Sequence, residues 1–342
     1  MKTKNLVILR VLLFILLVVG FLALCVFVKR PFQEPEFNVT EKTDLSLDIK
    51  ISQDDISSCR DFIKNNERYR KPISKAKFSK QINDAQGYLK AHPSGKIAKD
   101  LRKTIISELN IGFLLNKINQ RELVVKVVTV QQREGFTENE LLFKDPQVGT
   151  FSVLFLVPDK RKGSCSAIVG LHGHDGSNKM FKDEYFVEEL AKKGFAVIMP
   201  SFRAMCCDRI EEAISEELYL SGFSFMGWRV YETYLVIKYL KSKKFINKIG
   251  IMGHSGGSDV AYLVSIINPN LQALVYDMYP LQLNIFKGVI HCETIPNLAY
   301  YSPQINNSAT LKIPSLKIGY DCFNQDELRK MTIFFKEKLA EK

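Results

Sequence analysis

The chain has 342 residues, of which 46% are hydrophobic and 25% charged, and its formal net charge is +11. That length gives room for one large α/β domain plus an extension, and the composition excludes a long disordered region. The charge is spread out, so no nucleic-acid module is indicated; the densest basic stretch, Arg60 to Lys103, reads as solvated helix faces, with a role against anionic lipid headgroups as the alternative.

Val11 to Val28 is an uncharged, mostly apolar run, preceded by Lys2, Lys4 and Arg10 and followed by Lys29 and Arg30. It is long enough to span a bilayer core, and no A-x-A-like cleavage site follows it. Residues 1–30 are therefore expected to be a signal-anchor transmembrane helix. The greater basic charge on its N-terminal side places the body of the protein outside the cytoplasm. Residues 31–48 are polar, carry Pro31 and Pro35, and suit a linker. Six cysteines follow the membrane helix, namely Cys59, Cys165, Cys206, Cys207, Cys292 and Cys322, an even number compatible with disulfides.

Residues 49–121 read as a helical extension. Ile56, Cys59 and Ile63 recur at helical spacing, as do Ile82, Tyr88 and Leu89 before a break at His92-Pro93-Ser94-Gly95. Ile97 to Asn116 predicts one further amphipathic helix. At Glu122 the pattern switches, opening a domain over 122–342. Leu123 to Val130 is β-branched and strand-like, and Glu140 to Phe143 and Thr150 to Val157 predict two more strands. Ser166 to Leu171 is a continuous apolar run, as in a parallel strand buried on both faces. A helix over Asp183 to Lys193 leads to the strand Phe195 to Pro200. Trp228 to Lys241 is helical and leads to a strand from Ile249. Leu271 to Tyr276 and Leu316 to Tyr320 predict the last two strands. Strands alternating with helices predict an α/β fold with a mostly parallel sheet flanked by helices.

The chemistry centres on Gly253-His254-Ser255-Gly256-Gly257, between an apolar strand and an apolar helical segment. That is the pattern of a nucleophile elbow, in which a sharp strained turn lifts the serine hydroxyl above the sheet. A second motif, Leu171-His172-Gly173-His174-Asp175-Gly176, follows a buried strand. The oxyanion hole is expected to take one N–H from Gly256 and one from His174. The rival reading of His172 and His174 as a metal pair lacks further clustered ligands, and no C-x-x-C pair is present. No metal and no cofactor is expected.

Together these blocks resemble the dienelactone hydrolase and acetyl-xylan-esterase-like branch of the α/β-hydrolases. The resemblance runs from about Leu123 to Asp321 and includes Gly222 to Tyr231, Ile237 to Leu240, His291 to Leu298 and Ile313 to Asp321. It implies Ser-His-Asp ester hydrolysis, with Ser255 as nucleophile and Asp321 as acid; Asp326 is a reserve. The chain departs from the family after Asp321, where Cys322 to Lys342 hold no histidine but an amphipathic helix. The family's eighth strand and histidine loop are missing from the pattern, as if the chain passed directly to its last helix. Among the five histidines, His291 is the candidate base, with pocket lining as its other role. Arg203, after the strand ending at Pro200, is expected to brace its loop. The reading is a membrane-anchored serine hydrolase acting on a small-molecule carboxylic ester. The alternative is a catalytically degenerate fold used for binding.

Overall fold

The apolar runs of the sequence become the middle of one twisted sheet. In the computed structural model, residues 45–159, 163–174, 176–204, 208–278, 292–319 and 324–339 are described. The strands are β1 Val124–Arg133, β2 Phe136–Asp145, β3 Gly149–Pro158, β4 Cys165–Leu171, β5 Ala196–Pro200, β6 Ile246–Gly253, β7 Ala273–Tyr276 and β8 Ser315–Lys317. Their order in the sheet is β1-β2-β3-β5-β4-β6-β7-β8. The first three pair antiparallel, and β3 is antiparallel to β5. From β5 to β8 every pairing is parallel. The hairpin between β2 and β3 turns on Asp145, whose Oδ1 accepts from the N–H groups of Gln147 and Val148.

The period-two alternation of each strand divides the core into two layers. Ala167, Val169, Leu171, Ile198, Ile251 and Leu274 face one side. That side is covered by α1 Leu45–Asn65, α2 Lys75–Ala91, α3 Leu101–Glu108 and α4 Gly112–Leu115. Three later helices cover it too: α7 Asp208–Leu220, α8 Phe225–Lys241 and α9 Gly256–Ile267. Ile168, Val197, Met199, Met252 and Val275 face the other side, under α5 Asn178–Glu184, α6 Val187–Lys192 and α12 Gln325–Leu339. Short helices α10 Pro296–Ala299 and α11 Ser302–Ile305 precede β8. Among the described residues the chain passes from β8 to α12 without a further strand. The sheet still counts eight strands because β1 extends its antiparallel edge.

Two predicted helices are broken, each at a residue with positive φ. The stretch 183–193 divides into α5 and α6 around Phe186 (φ 54°), and 97–116 divides into α3 and α4 after Asn110 (φ 51°). Helical periodicity continues across both breaks, so a pattern of apolar spacing does not reveal them. Asn is one of the residues that tolerates the left-handed region, which was the available signal at position 110. Cys59, Cys165 and Cys292 are buried, and Cys59 is a free thiol. The other three cysteines and the apolar run 11–28 lie outside the described residues, among which no helix is long and apolar enough to cross a membrane.

Candidate active site

The site lies where β4, β6 and β7 end. β6 stops at Gly253 and α9 starts at Gly256, leaving His254 and Ser255 to turn the chain. Ser255 takes φ 50° and ψ −125°, a conformation that side chains rarely adopt. Such strain costs about 1–3 kcal/mol and persists only where the surroundings enforce it. Here the glycines enforce it by letting the strands and helix close in. A Cβ on Gly253 would collide with the Gly257 carbonyl oxygen, and one on Gly257 with that of Leu171. A Cβ on Gly173 would stand 2.6 Å from Ser255 Cβ, so the loop after β4 reaches the serine only because residue 173 has no side chain. Ser255 is the N-cap residue of α9. The Gly256 N–H is thus one of the first-turn donors with no partner inside the helix, at the positive end of the helix dipole.

Asp277, directly after β7, ties this turn down. Its buried carboxylate accepts the Ser255 backbone N–H at 3.1 Å and the His254 ring through Nδ1. Asp277 is itself fixed by Ser258 on α9, whose Oγ accepts the Asp277 N–H at 3.0 Å. The sequence motif thus carries its own brace one strand away.

The described histidines divide sharply by what holds them. His92 stacks on Tyr88 at 4.4 Å in the extension. His172 is fully buried, with Nδ1 at 2.9 Å from the Gly173 carbonyl and Nε2 accepting the Phe202 N–H at 2.9 Å. Burial lowers its pKa to about 4, which keeps it neutral and structural. Both ring nitrogens are committed to backbone, so His172 cannot join His174 in a metal pair. His254 is held by Asp277 on one edge and lies 4.7 Å from the Tyr185 ring.

His174 has different company. Its Nε2 lies 3.2 Å from Glu211 Oε1, 3.2 Å from Cys292 Sγ and 3.6 Å from Glu293 Oε1. Glu211, on α7, is gripped by Arg229 on α8 at 2.6 Å. Glu211, Arg229, Cys292 and Glu293 are all buried. Burial alone would lower the His174 pKa, but the hydrogen bond to Glu211 and the charges of Glu211 and Glu293 reverse the shift, and the net direction is upward. Burial acts to raise Glu211, yet Arg229 and His174 hold its carboxyl well below the usual range. Burial pushes the Cys292 thiol up, so it stays protonated. His174, Cys292 and Glu293 bring one donor atom each within 4.8 Å of one another, a spacing suited to a metal ion. The Arg229 guanidinium held at Glu211 argues against a cation there. Arg203 pairs with Glu232 and donates to the Thr150 carbonyl at 2.5 Å, which makes it the brace that was expected.

No family model matches the chain, and no curated protein matches it. Solved structures do. An acetyl xylan esterase from Paenibacillus sp. R4 aligns with a TM-score of 0.51 at 12% identity, over 71% of this chain and 95% of that one. The fold is that of the α/β-hydrolases. Acetyl xylan esterase 1 from Thermoanaerobacterium sp. JW/SL YS485 aligns over 72% of this α/β-hydrolase-fold chain and 96% of its own, at 12% identity and a TM-score of 0.48. A Bacteroides fragilis NCTC 9343 structure named for the same activity aligns at 18% identity and a TM-score of 0.45, over 54% of this chain and 53% of its own, so this chain spans about half of it.

Within this α/β-hydrolase fold, Gly256 follows Ser255, and a Cβ on Gly256 would stand 2.5 Å from His174 Cε1, so the structure brings the three residues together. The expected acid Asp321 and base His291 lie outside the described residues. Sequence reasoning missed Asp277, Glu211 and Glu293. Asp277 had a signal, since it directly follows the apolar strand ending at Tyr276, at the strand end where such folds place functional residues. Glu211 had none, because an acidic residue on a mixed helix reads as solvent-facing.

Proposed function

We propose that this chain is a serine hydrolase that cleaves a small-molecule carboxylic ester through an acyl-serine intermediate. The observation that carries this reading is the strained backbone of Ser255 at the N-terminus of α9. A turn of that kind presents a hydroxyl to substrate and has the next N–H ready for the oxyanion. The esterase names of the structural neighbours agree with it. Ser255 Oγ would attack the ester carbonyl, and the N–H groups of Gly256 and His174 would hold the resulting negative charge. Loss of one such donor typically costs about 100-fold or more in rate. Asp321 and His291 are the acid and base taken from the sequence.

An N-terminal anchor over residues 1–30, with the catalytic body outside the cytoplasm, belongs to the same proposal. It is supported by the apolar run Val11 to Val28 and its basic flanks. Alkaline extraction of membranes tests it: the full chain stays with the membrane, and the chain lacking residues 1–30 is released.

The chemistry is tested with a fluorophosphonate probe on folded protein. Wild type is labelled and Ser255→Ala is not. Folded wild type that resists the probe removes the catalytic reading and leaves a hydrolase fold used for binding.

A further inference from the structure

We propose that the His174 imidazole takes the proton of the Ser255 hydroxyl, oriented for that task by Glu211 and Arg229. The inference rests on Ser255 being the nucleophile.

Position is the first argument. The loop after β4 brings His174 over the elbow, with the Nδ1–Cε1 edge of its ring against Gly256. A Cβ on Gly256 would stand 2.5 Å from Cε1 and 2.9 Å from Nδ1. Orientation is the second. Nε2 faces the Glu211 carboxylate at 3.2 Å, so the proton of the neutral ring sits on Nε2 and the lone pair on Nδ1, the edge turned to the elbow. Rigidity is the third. Arg229 Nη2 donates to the same Glu211 oxygen at 2.6 Å and to the Arg203 carbonyl at 3.3 Å, and its guanidinium lies 4.0 Å from the Phe225 ring centroid. Glu211 therefore cannot swing away from the imidazole. A carboxylate that fixes tautomer and ring is the logic of the catalytic triad, and the opposite edge of this ring lies against Gly256, the residue after the serine. Here the carboxylate comes from helix α7 and not from the loop after the last strand.

The proton balance closes within the site. As the Ser255 Oγ–carbon bond forms, the hydroxyl proton moves to Nδ1, and the carbonyl π electrons move to the oxyanion. Collapse of that intermediate breaks the carbon–oxygen bond of the leaving alkoxide, which takes the proton from Nδ1. Water repeats the sequence to free Ser255. The imidazolium formed in between faces Glu211 from α7 and Glu293 from the segment after β7. Cys292, Arg229 and His172 are the other titratable or charged groups around it. Two carboxylates against one guanidinium favour the charged ring.

The test is the rate of fluorophosphonate labelling of the full chain as a function of pH. His174→Ala keeps the backbone N–H and removes the ring, and labelling should slow by about 100-fold or more. The reaction needs neutral His174, so the wild-type rate rises with pH, with its midpoint above the ordinary histidine value. Glu211→Gln removes a carboxylate that favours the imidazolium, so the midpoint should move down. A residue that only packs would not shift it. If wild type is labelled and His174→Ala is labelled as fast, the proposal fails while Ser255 remains the nucleophile. If folded wild type is not labelled, both readings fail. Should His174→Ala not fold, an unmoved midpoint in Glu211→Gln overturns the proposal by itself. Stoichiometric zinc in the purified wild type would overturn it too, since the ring nitrogen would then be a ligand.

Discussion

Asp277 holds Ser255 by the backbone, accepting its N–H at 3.1 Å, and holds the neighbouring His254 by the ring. The nucleophile candidate is thus positioned by a residue that never needs to touch substrate. The carboxylate is buried, so its two acceptor oxygens serve the elbow and little else. Asp277→Ala leaves two donors at the strained turn without their acceptor. The expected loss is about 1–3 kcal/mol of stability, together with slower labelling of Ser255. Urea unfolding checks the first and the probe the second; a change within about 0.5 kcal/mol, the range of ordinary surface substitutions, refutes the bracing role.

The two outer glycines of the motif are expected to be irreplaceable for a steric reason. A Cβ on either Gly253 or Gly257 meets backbone, which cannot rotate aside. Gly257→Ala should cost at least about 2 kcal/mol, at the upper end of ordinary substitutions. Gly87 supplies the control: it lies in α2 with nothing within 4 Å of its would-be Cβ. Gly87→Ala should stabilise the protein by up to about 1 kcal/mol, the helix-propensity difference. Thermal unfolding of both variants separates a packing effect from a general intolerance of substitution.

His172 predicts a pH dependence of stability. Its folded pKa of about 4 lies below the ordinary value of 6.5, because burial disfavours the charged ring. The unfolded chain therefore binds the extra proton first. Stability is fully present above pH 6.5 and falls as pH drops towards 4, by on the order of 3 kcal/mol for a shift of this size. His172→Gln should flatten that part of the curve of urea midpoint against pH. A curve unchanged in slope would show that other groups carry it.

Much of this was legible from residue patterns. Ser166 to Leu171 and Leu271 to Tyr276 are apolar without alternation, and they lie in the parallel part of the sheet, where both faces are covered. The strained turn at Ser255 was legible because its geometry needs Gly253 and Gly257 at fixed spacing from the serine. The helix breaks at Asn110 and Phe186 were not, because apolar spacing continues through them and only the backbone angle changes. The cluster around His174 was hidden for another reason. Glu211, Arg229 and Glu293 come from separate parts of the chain, and charged side chains read as solvent-facing until the fold buries them against one another.

The helical extension makes the last prediction. The sequence pattern suggests a boundary near residue 121, yet Phe62 of α1 is 2% exposed and stacks on Trp228 of α8 at 4.7 Å. Phe223 packs edge-on against the Phe62 ring at 5.2 Å. Ser224 adds to this junction: its Oγ accepts the Gly227 N–H as the N-cap of α8 and donates to the Leu109 carbonyl of the extension. Trp228 lies on the helix that precedes β6, so this contact shares a core with the strand that carries the elbow. Phe62→Ala should therefore cost about 3–5 kcal/mol, the usual penalty for emptying a buried aromatic site, and should lower one cooperative transition for the whole unit from Asp48 onward. Two transitions, with only the weaker one shifted, would instead mean that residues 49–121 fold apart from the sheet. Tryptophan fluorescence, from the single Trp of the chain, follows the junction directly, and far-ultraviolet circular dichroism follows the rest. Coincident midpoints from the two signals are the expected result.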